Sequence, residues 1–185
     1  MIRLKGKKIA VIGAGVEGMS STKWLKEHGA KVTILDQKDN KDYLANLDRY
    51  ELIVRSPGVK RELIENKLLK GSKTEITSQT KLFFDLCPCK IIGITGTKGK
   101  GTTASLIYEM LKLQGFAAYL GGNIGSPPLD FLDKLSTHST VMLELSSFQI
   151  LDLEKSPHIA VLLMTTSEHL DYHKDINEYV EAKRN

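Results

Sequence analysis

Two cysteines, one tryptophan and five prolines are all that this sequence of 185 residues holds of those types, and each scarcity closes off a class of protein. Two cysteines make no disulfide scaffold. Cys87 and Cys89, in the pair C-P-C, also fall short of the roughly four ligands of a structural metal site, so they read as reduced thiols at a domain junction. Long hydrophobic runs are missing too: nothing approaches the roughly 20 apolar residues of a membrane helix. The start, MIRLKGKKIAVIGAGV, begins like a secretory signal, but Glu17 interrupts it early and its glycines suit a turn. A cytoplasmic monomer that engages no membrane is the expectation. Charge of one sign is also lacking: 26 Lys+Arg stand interspersed with 22 Asp+Glu. That pattern describes a solvated surface and argues against nucleic acid as a partner.

What is present is enough apolar residue, 41%, for a real core, and two α/β patterns in series. KIAVIG (8–13) reads as a buried parallel strand. It runs into Gly13-Ala14-Gly15-Val16-Glu17-Gly18, then a helix to about Gly29, then the strand KVTILD ending in Asp36. Strand, glycine turn, helix, strand and acid form the context in which G-x-G-x-x-G binds a nucleotide, with the helix N-terminus facing a diphosphate. The acid alone does not choose between a ribose of NAD and another polar ring. YELIVRSPGV adds a strand entering the turn Ser56-Pro57-Gly58. The domain boundary falls near Leu86–Lys90, giving a Rossmann-like domain over 1–88 and a second α/β domain over 89–185.

The second domain restarts with KIIGIT and the loop GITGTKGKGTT (93–103). A phosphate loop of the form G-x-x-x-x-G-K-[ST] would place glycine where Ile94 stands and a hydroxyl where Gly101 stands. Even so, Lys100 follows Gly99 at a strand–loop–helix junction, where a lysine can neutralise β/γ-phosphate oxygens. The amides of Gly96, Thr97, Lys98, Gly99, Lys100, Gly101 and Thr102 can form an anion nest. Thr102 or Thr103, in the first helical turn, can supply the missing hydroxyl to Mg²⁺. Along the helix, Ala104, Ile107, Met110 and Leu111 recur at helical spacing as a core face. AAYLGGNIG, TVMLELSSFQ and IAVLLMTT read as short strands. Glu144 ends one of them and can ligate Mg²⁺; His169 is a second candidate ligand. His169 and His173 lack a third partner for zinc. Lys183, viewed alone, is an exposed helix lysine.

GITGTKGKGTT, GGNIG, LELSSFQ, EHLDYH and the final Y-x-x-x-K, together with GAGVEG and SPGV, resemble the ATP-dependent Mur ligases in order and spacing along the whole chain. The resemblance implies a fold class of α/β type: a Rossmann-like N-terminal domain, then an incomplete P-loop central ATPase domain. ELSSFQ is most similar to members that join D-glutamate to UDP-N-acetylmuramoyl-L-alanine through an acyl phosphate. By the same resemblance, Val16, Glu17, Asp36, Gln37, Lys38 and Gly58 lie near the uracil nucleotide, and Asn123 and Ser146 meet the muramoyl substrate. Lys100 contacts ATP, Glu144 one Mg²⁺ and His169 a second, which a carbamylated Lys183 supports. Family members continue well past residue 185, so a fragment inactive by itself is expected. A non-catalytic nucleotide-binding module and an NAD-dependent oxidoreductase are the other readings.

Overall fold

A computed structural model describes residues 3–165. The expectations for His169, His173 and Lys183 lie outside the described residues. Two compact units divide the chain, Met1–Leu82 and Phe83–Asn185.

In the first unit, β1 (Lys8–Ile12), β2 (Lys31–Leu35), β3 (Leu52–Arg55) and β4 (Glu75–Ser78) form a parallel sheet in the order β2-β1-β3-β4. The continuous apolar run Ile9–Ile12 is fully buried, as befits a central strand covered on both faces. Helix α1 (Val16–Glu27) carries the chain from β1 to β2, and α2 (Arg61–Glu65) lies between β3 and β4. Since β2 and β3 flank β1 on opposite sides, the connections diverge there. An open sheet of this kind leaves a crevice beyond its carboxyl ends at that switch point. Gly18 lets α1 approach β1 closely: a Cβ at that position would run into the Gly13 carbonyl oxygen. Ala10, Ile12 and Ile53 then pack with Leu47, Tyr50 and Ile64 as the core.

The unit division falls within α3 (Gln79–Leu86), which follows β4 directly. The second unit is another parallel sheet, with β5 (Lys90–Thr95), β6 (Ala118–Gly122), β7 (Thr140–Glu144) and β8 (Ile159–Leu162) in the order β6-β7-β5-β8. Helix α4 (Lys100–Leu113) links β5 to β6, and the short helices α5 (Leu129–Leu132) and α6 (Ser147–Ile150) precede β7 and β8. The loop after β5 therefore opens beside the ends of its neighbours β7 and β8.

One core assignment on α4 is corrected. Ala104 is fully buried, and Ile107, Tyr108 and Leu111 pack with it against Ile94 and Met142, but Met110 is 59% exposed. At 100° per residue, Met110 lies about 60° beyond Ile107 at one edge of the arc spanned by Ala104, Ile107 and Leu111, whereas Tyr108 lies about 40° beyond Ala104 at the other edge, which is the edge that packs inward.

Among the described residues no helix is long and apolar enough to cross a membrane. No group of three or more His, Cys, Asp or Glu among them could hold a metal ion. Cys87 and Cys89 are free, with sulfurs 3.5 Å apart. Burial, followed by the hydrogen bond and charge of Cys87, pushes the Cys89 thiol up to about 12. Cys89 should therefore stay protonated and resist alkylation by iodoacetamide at pH 8 in the folded chain, then react once urea unfolds it; mass spectrometry reads the difference. A pKa raised in the folded state means that the native chain holds this proton more tightly. Stability from it is complete below the unfolded value near 9 and fades as pH climbs toward 12.

Candidate functional site

In the second unit the apolar strand β5 delivers the loop 96–99 to the middle of the sheet's carboxyl edge. Gly99 caps α4 in a left-handed conformation (φ 82°) that favours glycine. Thr103 N–H donates to the Gly99 carbonyl at 2.9 Å, so the amides of Lys100, Gly101 and Thr102 lie ahead of the helical ladder. The Lys100 ammonium donates to the Thr97 carbonyl at 2.9 Å, which holds it over the loop. One expected nest member is otherwise engaged: the Thr97 amide donates to the Met164 carbonyl at 2.9 Å. Lys98, Gly99 and Thr102 are exposed.

Glu144, at the end of β7, lies against this helix start. It is only 5% exposed, and its Oε2 has no hydrogen-bond partner among the described residues. A Cβ added to Gly101 would sit 3.3 Å from that oxygen and about as close to the Ile124 side chain. Here is a physical reason for glycine where a phosphate loop usually carries a hydroxyl. The side chain is omitted, and a carboxylate from the neighbouring strand occupies its surroundings. A buried carboxylate oxygen without a donor is costly unless something cationic meets it. A carboxylate against the first turn of α4, a turn that also carries Thr102 and Thr103, offers the hard-oxygen chemistry that suits Mg²⁺.

Asn123 is exposed, and its amide donates to the Glu144 carbonyl at 2.9 Å, which ties the end of β6 to the end of β7. Ser146 is the N-cap of α6. It forms a capping box with Gln149: the Gln149 amide donates to the Ser146 hydroxyl, and the Ser146 amide donates to Gln149 Oε1 at 2.9 Å. The motif LELSSFQ thus encodes a strand-end carboxylate followed by a capped helical turn.

In the first unit, Val16 is 77% exposed at the start of α1, and Gln37 and Lys38 are exposed beyond β2. Asp36 braces the glycine turn. Its Oδ2 accepts from the Ala14 amide at 2.7 Å and its Oδ1 from the Lys38 amide at 2.9 Å. The Lys38 bond first, then the Ala14 bond, hold its carboxyl below the usual range. Glu17 is half-buried, and its carbonyl accepts from the Gln79 side-chain amide at 2.9 Å and from the Ser21 hydroxyl at 2.8 Å. Gly58 lies exposed beyond β3.

Two residues escaped sequence reasoning, Arg55 and Gln79, both nearly inaccessible. A signal existed for the first: LIVR ends an apolar strand with a cation directly before Ser-Pro-Gly. Gln79 carried no such mark, because its partners Glu17 and Ser21 lie far away in the chain.

Three similarities bear on this arrangement. Residues 94–185 match the Mur ligase middle domain. A UDP-N-acetylmuramoylalanine–D-glutamate ligase of Acetivibrio thermocellus is 38% identical over 99% of this chain and 44% of its own length. The enzyme of that name from Clostridium botulinum is 39% identical over 98% of this chain and 44% of its own. The chain thus spans less than half the length of these curated relatives. In fold, it resembles the crystal structure of UDP-N-acetylmuramate:L-alanyl-γ-D-glutamyl-meso-diaminopimelate ligase from Neisseria meningitides, with a TM-score of 0.59 at 20% identity over 96% of this chain and 66% of that one.

Proposed function

We propose, from the match of residues 94–185 to the Mur ligase middle domain and the identity to the two ligases along the chain, that this is a Mur ligase chain and forms the substrate- and ATP-binding part of a cytoplasmic ligase in peptidoglycan synthesis, one that joins D-glutamate to UDP-N-acetylmuramoyl-L-alanine. The observation that carries this reading is Glu144, whose buried Oε2, without a hydrogen-bond partner among the described residues, lies against Gly101 in the first turn of the lysine-bearing loop helix.

The chemistry asked of these residues is mainly charge and position. The muramoyl substrate's carboxylate attacks the γ-phosphate of ATP, ADP leaves, and the amine of D-glutamate then displaces phosphate from the acyl phosphate. Phosphoryl transfer of this kind depends on electrostatic stabilisation. Mg²⁺, when bound, would neutralise phosphate charge, held by Glu144 with the hydroxyl of Thr102 or Thr103. Lys100 would leave the Thr97 carbonyl for a phosphate oxygen, and the first-turn amides of α4 would point at the same group. In the first unit, the turn Gly13–Glu17, Asp36, Gln37, Lys38 and Gly58 would bind the uridine diphosphate, while Asn123 and Ser146 would meet the sugar acid. The amide of Ser146 is engaged by Gln149, so Ser146 would serve through its hydroxyl, which also caps α6. A role for His169 and a carbamylated Lys183 at a second Mg²⁺ is part of the same proposal.

Calorimetric titration of the chain tests the reading. UDP should bind in preference to NAD, and a non-hydrolysable ATP analogue should bind more tightly with Mg²⁺ than without it. Binding of NAD with no response to UDP would instead make the first unit an oxidoreductase's dinucleotide domain.

A further inference from the structure

Arg55 is 2% exposed and among the largest fully buried side chains, an unusual place for a cation. Its Nη1 donates to the Val59 carbonyl at 2.7 Å and the Pro57 carbonyl at 3.2 Å, with the Ser56 carbonyl at 3.5 Å. The turn is closed independently by Val59 N–H donating to the Ser56 carbonyl at 3.0 Å. Several carbonyls of one four-residue turn thus face a single buried guanidinium nitrogen.

That arrangement fixes which way the amides face. In a trans peptide the C=O and the following N–H point in opposite directions, and no cis peptide bond is present among the described residues. With the Pro57 carbonyl drawn inward to Arg55, the Gly58 N–H is turned outward. Gly58 is exposed, a Cβ on it would meet nothing within 4 Å, and its N–H has no hydrogen-bond partner among the described residues. A donor aimed at open space at a strand's carboxyl end, beside the switch point, is where an open α/β sheet meets its ligand.

We propose that Arg55 is a positioning residue for the uridine-nucleotide crevice: its buried guanidinium orients the Ser56–Val59 turn so that the Gly58 N–H stands ready as a donor to the nucleotide. This rests on the uridine nucleotide reading of the first unit. Arginine suits the task because its planar fork keeps a fixed geometry, whereas the flexible ammonium of lysine keeps the charge without that geometry.

The test uses the ¹⁵N-labelled 185-residue chain titrated with UDP, and Arg55→Lys beside it. In the unsubstituted chain the Gly58 amide resonance should shift as UDP saturates. In Arg55→Lys, UDP affinity should fall about tenfold, as for loss of one well-placed hydrogen bond. Affinity for an ATP analogue should be unchanged, and the fluorescence of Trp24, the sole tryptophan and part of the first unit, should remain native. If Ala14 and Val16 shift with UDP while Gly58 stays silent, the inference fails and the uridine reading stands. If no amide of the first unit responds to UDP, that reading fails and takes the inference with it. Equal UDP affinity in a folded Arg55→Lys would also overturn the role assigned to Arg55.

Discussion

Glu144→Gln should make the chain more stable while depriving the proposed ATP site of Mg²⁺. In the free protein this carboxylate is buried, and Oε2 has no partner among the described residues. A neutral side chain of the same shape avoids much of the desolvation, so denaturant unfolding should show a gain of about 1–3 kcal/mol. In titrations with an ATP analogue, the same variant should bind equally well with and without Mg²⁺. Lys100→Met should behave differently. Among the described residues its ammonium makes a single bond, to a loop carbonyl, so stability should change little. Binding of the analogue should weaken on the order of 100-fold under both conditions, because a preorganised cation at the phosphate is lost. The pair separates the two roles, since one residue governs the metal response and the other the nucleotide. A Glu144→Gln chain that is less stable than the original and keeps its Mg²⁺ response would mean that the carboxylate serves packing alone. Residues that stabilise when replaced are a mark of sites kept for function.

The loop-bearing edge of each unit was legible in the sequence because strand periodicity and glycine turns are local signals. KIAVIG and KIIGIT form central strands, and each feeds the glycine loop expected of it. Gly101 shows where local reading stops. Its absence of a side chain looked like a fault in a phosphate-loop pattern, and its cause lies 43 residues away, in the Glu144 carboxylate. Met110 failed for a smaller reason: a helical stripe counted in threes and fours admits residues at the edge of the arc, and only packing against Ile94 and Met142 shows which of them are covered. Thr97 shows the same limit: its backbone amide is claimed by Met164, a partner supplied by the chain just after β8. Ser146 shows the converse. S-x-x-Q is a capping-box pattern visible in the sequence, and it accounts for part of a motif otherwise attributed wholly to substrate.

Gly122→Ala should be the most damaging small substitution in the second unit. Gly122 ends β6 with φ 99°, where an L side chain is strained, and an added Cβ would collide with the Glu144 carbonyl oxygen. That oxygen belongs to a central strand and accepts from the Asn123 amide, so it cannot move without disturbing the pairing of β6 and β7. Backbone strain and overpacking together should cost about 2–6 kcal/mol, a large share of the roughly 5–15 kcal/mol that holds a domain folded. Gly115→Ala provides the comparison: φ is 82° there too, but a Cβ would meet nothing within 4 Å, so only the conformational cost of about 1–2 kcal/mol applies. Hydrogen exchange at the Asn123 and Leu145 amides, which bond to the Glu144 and Ile94 carbonyls, reads the damage where it begins. Urea unfolding gives its total. Equal losses in the two variants would show that positive φ, and not the collision with β7, sets the demand for glycine at the edge that carries Glu144.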